Sequence, residues 1–378
     1  MLFGYWPGAS WGGQSMETIV KSIKAKNPNA LIFLYTDMDG LTSSGSDSMS
    51  PLRDKINAMN WWLHDGTGIV PSFYGHGEYT INSSPFTAKD SSGNDSVDWI
   101  AKWYVGAYYT PNPDIDGFFM DNVFPHPRVA GDWYNSGNVL QATDSGAAAA
   151  LQAGYERWYS LMRQLMPGKY QIGNIGSWET MSATPPAGYQ GMTDGGVLEA
   201  IIGQSYSIES WGGWQGMMKE YNTSMQATSE PKLVIFNQWG SPTDYQAFRY
   251  GLTSCLMNDG YYSFTDASAG YSSIVWFDEY DANLGTAVGQ PPTGAWQKGV
   301  WRRDFTNGIA LVNPKGNGPQ TLTLEQPFVK INGSQAPSVN NGQTVTTVTL
   351  QDRDGIILLR KAPMEQPKPP SQVTAAVG

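Results

Sequence analysis

The chain has 378 residues, 40% of them hydrophobic, and its 23 Lys and Arg face 33 Asp and Glu for a net charge of −10. Counterion release needs a basic surface, so this balance speaks against nucleic acid, anionic membranes and anionic polysaccharides as partners. A mean hydropathy of −0.37 is that of a soluble globular protein, and no apolar run reaches the ~18 residues of a membrane span.

Met1–Trp6 reads as a first strand with no signal peptide before it, followed by the loop Pro7–Gly13. Met16, Ile19, Val20 and Ile23 give helical spacing over 15–26, stopped by Asn27-Pro28-Asn29. Ala30–Thr36 is a second strand, ending at Asp37-Met38-Asp39-Gly40. Strand, helix, strand within some forty residues is the signature of a parallel sheet. A helix over Arg53–Leu63 and a third strand over Gly68–Tyr74, weakened by Pro71, come next. The polar loop around Asp90 has the wrong register for an EF-hand calcium site.

A helix over Val97–Tyr108 leads to the fourth strand, Ile115–Met120, a short apolar run without alternation that suits burial on both faces. It ends in Asp121-Asn122. Beyond it come helix Ala147–Met166, strand Tyr170–Asn174, strand Gly195–Glu199, helix Trp211–Met225, strand Lys232–Trp239, helix Tyr245–Asn258 and strand Tyr261–Thr265. Eight strands with intervening helices predict an α/β fold, a (β/α)8 TIM barrel over 1–284. From 285 to 361 short strands and Asn-Gly turns replace helices, which predicts a small antiparallel β-sandwich. Residues 362–378 read as a linker whose end resembles the start of a fibronectin type III domain, so an extracellular, secreted location is expected.

In a parallel barrel all strands finish on one face, where barrel enzymes hold their chemistry. The polar residues at the predicted strand ends are Asp37, Asp39, Asp121, Asn122, Asn174, Glu199, Asn237, Gln238, Trp239 and Asp266. Glycoside cleavage needs two carboxyl groups across the anomeric carbon, and Asp121 and Glu199 are the best pair. Glu199 is a single carboxylate inside the apolar run Val197–Ile202. Burial raises a carboxyl pKa, as a general acid at neutral pH requires. The bland alternatives are a capping role for Asp121 and a salt bridge for Glu199. Asp37 and Asp266 are either substrate ligands or turn caps. The amides and Trp239 are expected to hold sugar hydroxyls and ring faces.

Other chemistries lack their motifs. His64, His76 and His126 have no metal-ligand spacing, and no nucleophile elbow or phosphate loop is present. The single cysteine, Cys255, permits no internal disulfide. No cofactor or metal is expected, and the expected partner of a monomeric protein is a carbohydrate.

Several stretches resemble a known family. Asp116-Gly-Phe-Phe-Met-Asp-Asn122 resembles a catalytic strand of barrel glycoside hydrolases, and Gly196-Val-Leu-Glu199 the strand carrying the second carboxylate. With Arg249–Leu252, Asp259–Tyr262, Gly289–Pro291, Trp301–Gly308 and Val312–Pro314, residues 2–361 resemble glycosyl-hydrolase-like family fifteen. The resemblance implies a barrel with a C-terminal β-sandwich acting on a polysaccharide or oligosaccharide. Carboxylates on the fourth and sixth strands are similar to the layout of retaining α-galactosidase-type enzymes, which implies Asp121 as nucleophile and Glu199 as acid/base. The competing readings are a catalytically silent carbohydrate-binding protein and a sugar lyase or transglycosylase.

Overall fold

The computed structural model describes residues 2–3, 10–11, 13–72, 75–123, 132–134, 140–174 and 191–361. The expected loop 7–13, the expected tail 362–378 and most of the loops 123–145 and 178–194 lie outside the described residues or are only partly inside them. The chain divides into two compact units, one of residues 1–239 and 260–263, the other of residues 240–259 and 264–378.

In the first unit, chain order runs β1 (Leu2–Phe3), α1 (Met16–Lys26), β2 (Phe33–Thr36), α2 (Ser50–Met59), α3 (Ser96–Tyr104), β3 (Gly117–Met120), α4 (Asp144–Leu165), β4 (Tyr170–Asn174), β5 (Gly195–Ile202), α5 (Ile208–Ala227) and β6 (Leu233–Gly240). Helix α6 (Tyr245–Cys255) belongs to the second unit, and β7 (Tyr261–Asp266) begins in the first. The strands form one sheet in the order β1-β2-β3-β4-β5-β6-β7, and β1 to β6 pair in parallel. Local chemistry sets the helix ends. Ser15 caps α1 by accepting from Thr18 N at 3.3 Å, and Asp95 caps α3 by accepting from Asp98 N at 2.9 Å.

The third predicted strand does not join this sheet. Strand β2 pairs directly with β3, Tyr35 opposite Phe119. Residues 68–72 instead bond antiparallel to their own neighbours: Val70 N donates to Leu63 O and Ser72 N to Glu78 O. Pro71 has no N–H to offer a central strand, so the run is unfit for the place between β2 and β3. Among the described residues the sheet therefore has seven strands; Asp121 directly follows the third and Glu199 lies within the fifth, rather than on the fourth and sixth.

One face of the sheet carries a continuous apolar layer. Phe33, Phe119, Ile172, Val197 and Leu233 pack together, joined by Tyr35, Tyr170 and Ile235. Each well-buried side chain of this kind contributes roughly 1.5–3 kcal/mol. The opposite face meets helices, as where Phe236 meets Tyr221 of α5 edge-on at 5.2 Å. Several tryptophans of this unit serve the core: Trp61, Trp62, Trp133, Trp158 and Trp214 are all buried.

The second unit holds α6 and five antiparallel strands: β8 (Trp301–Phe305), β9 (Gly308–Asn313), β10 (Gln320–Lys330), β11 (Thr344–Leu350) and β12 (Asp354–Arg360), in the order β8-β9-β12-β10-β11. Two facing sheets were expected, and among the described residues there is one. The physical reason is β10: its register shifts between Thr323 and Phe328, so its first half pairs with β11 alone and its end with both β11 and β12. Such a bulge bends the strand, and one bent sheet encloses its own core of Ile309, Leu311, Leu322, Phe328, Ile356 and Leu358. Alternation turns Gly355, Ile357 and Ala310 to the other face. There α6 lies so close that a Cβ on Gly355 would sit 2.0 Å from Thr253 Oγ1. Arg249 of α6 pairs with Asp354 at 2.9 Å, both buried. Cys255 is free and buried.

Candidate active site

The parity of the apolar layer builds the site. Side chains two apart on a strand share a face, so the residue two beyond each core residue stands directly above it. Above Tyr35 comes Asp37, above Phe119 comes Asp121, above Ile172 comes Asn174, above Val197 comes Glu199 and above Ile235 comes Asn237. The register fixes their alignment: Tyr35 pairs with Phe119, Phe119 with Ile172, Asn174 with Val197, and Val197 with Ile235. Three carboxylates and two amides from five adjacent strands thus crown one apolar floor.

Asp121 is held from three sides. Tyr35 donates its hydroxyl to Oδ2 at 2.7 Å, while Oδ1 accepts from Asn122 N at 2.9 Å and from Asn174 Nδ2 at 3.1 Å. The same Asn174 nitrogen donates to Glu199 Oε2 at 2.9 Å, so the two carboxylate oxygens lie at most 6.0 Å apart. The two N–H bonds of one amide diverge widely, and ideal geometry puts the oxygens roughly 5 Å apart. Both Asp121 and Glu199 are half-buried, open enough to meet a ligand.

Asp37 stands on the other side of Asp121. Its Oδ1 accepts from Asp39 N at 2.7 Å and its Oδ2 from Asn122 Nδ2 at 2.8 Å. Burial, then the charges of Asp39 and Asp121, push its carboxyl well above the usual range. Tyr35 is pushed up by burial and by the Asp37 and Asp121 charges, so its hydroxyl stays a proton donor.

Each catalytic candidate is followed by a residue in the left-handed region, Asn122 at φ 58° and Ala200 at φ 49°. Asn tolerates that conformation, whereas Ala there costs roughly 1–2 kcal/mol. At Ala200 the cost is offset by bonding: its N–H donates to Asn237 Oδ1 at 3.0 Å, and its carbonyl accepts from the Ser207 hydroxyl. The strain sits in a bulge, since Leu198 pairs with Phe236 but Ile202 with Gln238. Bulges re-aim side chains, and this one follows Glu199. Gly203, at φ 105°, closes the bulge where a Cβ would meet Trp239 O at 1.8 Å.

The expected site residues divide accordingly. Asp37, Asp121, Asn122, Asn174 and Glu199 form one hydrogen-bonded group, and Asn237 joins it through the backbone of Ala200. Gln238 has the opposite parity, is buried, and accepts from the Tyr262 hydroxyl at 2.7 Å. Trp239 is half-buried. Asp266, in the second unit, caps its own turn: its Oδ1 accepts from Ser268 N at 2.8 Å and Ser268 Oγ at 2.7 Å. These bonds hold its carboxyl below the usual range. Two contributors escaped the sequence reading. Tyr35 has the parity of Asp37 two residues earlier, a signal that was present. Tyr206 follows a bulge that no sequence period reveals.

Carboxylates gathered at the carboxyl ends of parallel strands stand where α/β enzymes hold their ligands. The profile of hypothetical glycosyl hydrolase family 15 matches residues 24–309, three quarters of the chain. The chain belongs to that family and is a glycoside hydrolase. No curated protein sequence matches it significantly. Among solved structures it is similar to an Anoxybacillus alpha-amylase (11% identity, 92% of this chain and 79% of that one, TM-score 0.49) and to the acarbose-bound alpha-amylase of Geobacillus thermoleovorans (12%, 92% and 80%, 0.47). It is also similar to the cycloalternan-degrading enzyme of Trueperella pyogenes (12%, 96% and 51%, 0.44).

Proposed function

We propose that the protein hydrolyses a polysaccharide or oligosaccharide with retention of anomeric configuration, using Asp121 as nucleophile and Glu199 as acid/base. The observation that carries this reading is the single Asn174 amide shared by the two carboxylates. It keeps them near the ~5–5.5 Å separation of retaining enzymes, below the ~6.5–9.5 Å that leaves room for an attacking water. Asp121 takes donors on three sides, which suits a carboxylate that must point at one carbon. It attacks the anomeric carbon and forms a glycosyl ester while the bond to the leaving oxygen breaks and Glu199 gives that oxygen its proton. Water then loses a proton to Glu199 as it attacks the ester, which frees the sugar and restores the Asp121 carboxylate. Asp37, Asn122 and Asn237 are the nearest groups for sugar hydroxyls. We also infer that the parallel sheet is the wall of a barrel, because its side chains from five successive strands meet in one interior layer.

The test is a panel of soluble starch, dextran, galactomannan, arabinan and chitosan offered to the wild type, Asp121→Asn and Glu199→Gln. One polysaccharide is cleaved by the wild type, each variant loses at least ~10³-fold in kcat with its melting temperature kept, and proton NMR finds the first product with the anomeric configuration of the substrate. Full activity in either variant removes the assignment, an inverted product removes the nucleophile, and binding that survives both substitutions without any wild-type cleavage favours a silent carbohydrate-binding protein.

A further inference from the structure

Two large aromatic side chains stand uncovered just past the Glu199 bulge. Tyr206 is 64% exposed and Trp211, in the first turn of α5, is 61% exposed. Exposed rings of this size forfeit burial free energy unless a ligand covers them. The segment that presents them is firmly tied. Ser207 donates to Ala200 O, next to Glu199, and its Oγ accepts from Gln204 N at 2.8 Å. Ser210 Oγ donates to Gln204 O at 2.8 Å, and Trp211 Nε1 donates to Tyr206 O at 3.3 Å. The indole N–H is thus engaged with the backbone while the ring remains exposed.

Pyranose rings present flat C–H faces, and preset aromatic surfaces bind them by apolar contact with little ordering cost. Glu199 is the group that would hand a proton to the departing sugar. We propose that Tyr206 and Trp211 form the platform for the sugar on the leaving-group side of the cleaved bond, so that the enzyme acts within chains of pyranose units and needs a sugar there for full rate. This rests on the acid/base role given to Glu199 above. A rigid platform beside the acid aligns the leaving oxygen with the proton, and remote binding of this kind is realised in the transition state.

The experiment compares Tyr206→Ala, Trp211→Ala and Tyr206→Phe with the wild type on two probes. One is an oligosaccharide ladder from whichever panel polysaccharide is cleaved; the other is the 4-nitrophenyl glycoside of the sugar released, whose leaving group needs neither a sugar subsite nor strong acid assistance. The alanine variants lose roughly 10- to 100-fold in kcat/KM on the oligosaccharides and change less than about threefold on the nitrophenyl glycoside. Tyr206→Phe, which keeps the ring, retains most of the oligosaccharide activity. Equal activity of the alanine variants and the wild type on oligosaccharides overturns the platform and leaves the hydrolase reading standing. Equal losses on both probes also overturn it, since the effect then lies in the shared site. A wild type that cleaves neither probe overturns the hydrolase reading and the platform together.

Discussion

Replacing Asn174 with Ala tests the pairing of the two carboxylates more directly than replacing either of them. The amide supplies one hydrogen bond to Asp121 at 3.1 Å and one to Glu199 at 2.9 Å. A bond to an ionised group contributes roughly 1.5–3 kcal/mol and one to a neutral carboxylic acid roughly 0.5–1.5 kcal/mol. In the mechanism proposed above Asp121 attacks as a carboxylate and Glu199 gives up a proton, so on that proposal about 2–4.5 kcal/mol of orientation is lost. That corresponds to a fall in kcat of roughly 30- to 2,000-fold. Asn174 is half-buried at the end of β4, and its loss opens no sealed cavity, so the melting temperature changes little. KM also stays close to that of the wild type if the amide acts on the carboxylates rather than on the sugar. Steady-state kinetics on the cleaved polysaccharide, with a thermal melt as control, separate these outcomes. A kcat within threefold of the wild type would refute the view that Asn174 holds the pair. A large rise in KM at constant kcat would make it a substrate ligand instead.

Two further predictions concern buried charge. Burial raises the Glu220 carboxyl from 4.5 to about 7, and its Oε2 has no hydrogen-bond partner among the described residues. A raised acid favours the fold while it is protonated, so its contribution is whole below pH 4.5 and is lost as pH rises through about 7. Melting temperatures of the wild type should therefore fall between pH 5 and 8 relative to Glu220→Gln, by at most about 3 kcal/mol in stability; parallel curves would remove Glu220 as the cause. Arg249→Ala strands the buried Asp354 carboxylate, whose pKa burial already raises against the pull of Arg249. The loss should be roughly 3–5 kcal/mol, read as a drop of about 10 °C or more in calorimetry. The double change Arg249→Met with Asp354→Leu should recover most of it, and an unaltered melt in the single variant would show that the ion pair contributes nothing.

The strands that carry the site were legible because each ends an apolar run in a polar residue. Parity extends that legibility: Tyr35 to Asp37, Phe119 to Asp121, Ile172 to Asn174 and Val197 to Glu199 can be counted off without coordinates. What escaped depended on partners distant in sequence. Gly68–Tyr74 has the composition of a strand, yet Pro71 costs it a place between two others, and only the direct β2–β3 pairing exposes this. The strand count then shifts by one, but β4 still separates the two carboxylate strands, so the feature that matters for chemistry is unchanged. In the second unit the register shift inside β10, which bends its antiparallel sheet, leaves no trace in that strand's alternation. Helix α6 looks like another barrel helix by its own period, and its contacts with Gly355 and Asp354 rest on residues some hundred positions away.

The bulge after Glu199 ties these threads to function. An undistorted β5 would carry Glu199, Ile201 and Gly203 up one face in alternation. Instead Ala200 adopts φ 49°, the register slips against β6, and the chain is led out to the exposed Tyr206 and Trp211. Glycine at this position would relieve the left-handed strain but would also free the turn. Alanine keeps it in one conformation, tied to Asn237 on one side and Ser207 on the other. The same two bonds thus position the candidate acid and anchor the aromatic rim. Strain retained at a site and offset by its own hydrogen bonds is what preorganisation requires. A purely structural turn would gain nothing from being strained beside a carboxylate.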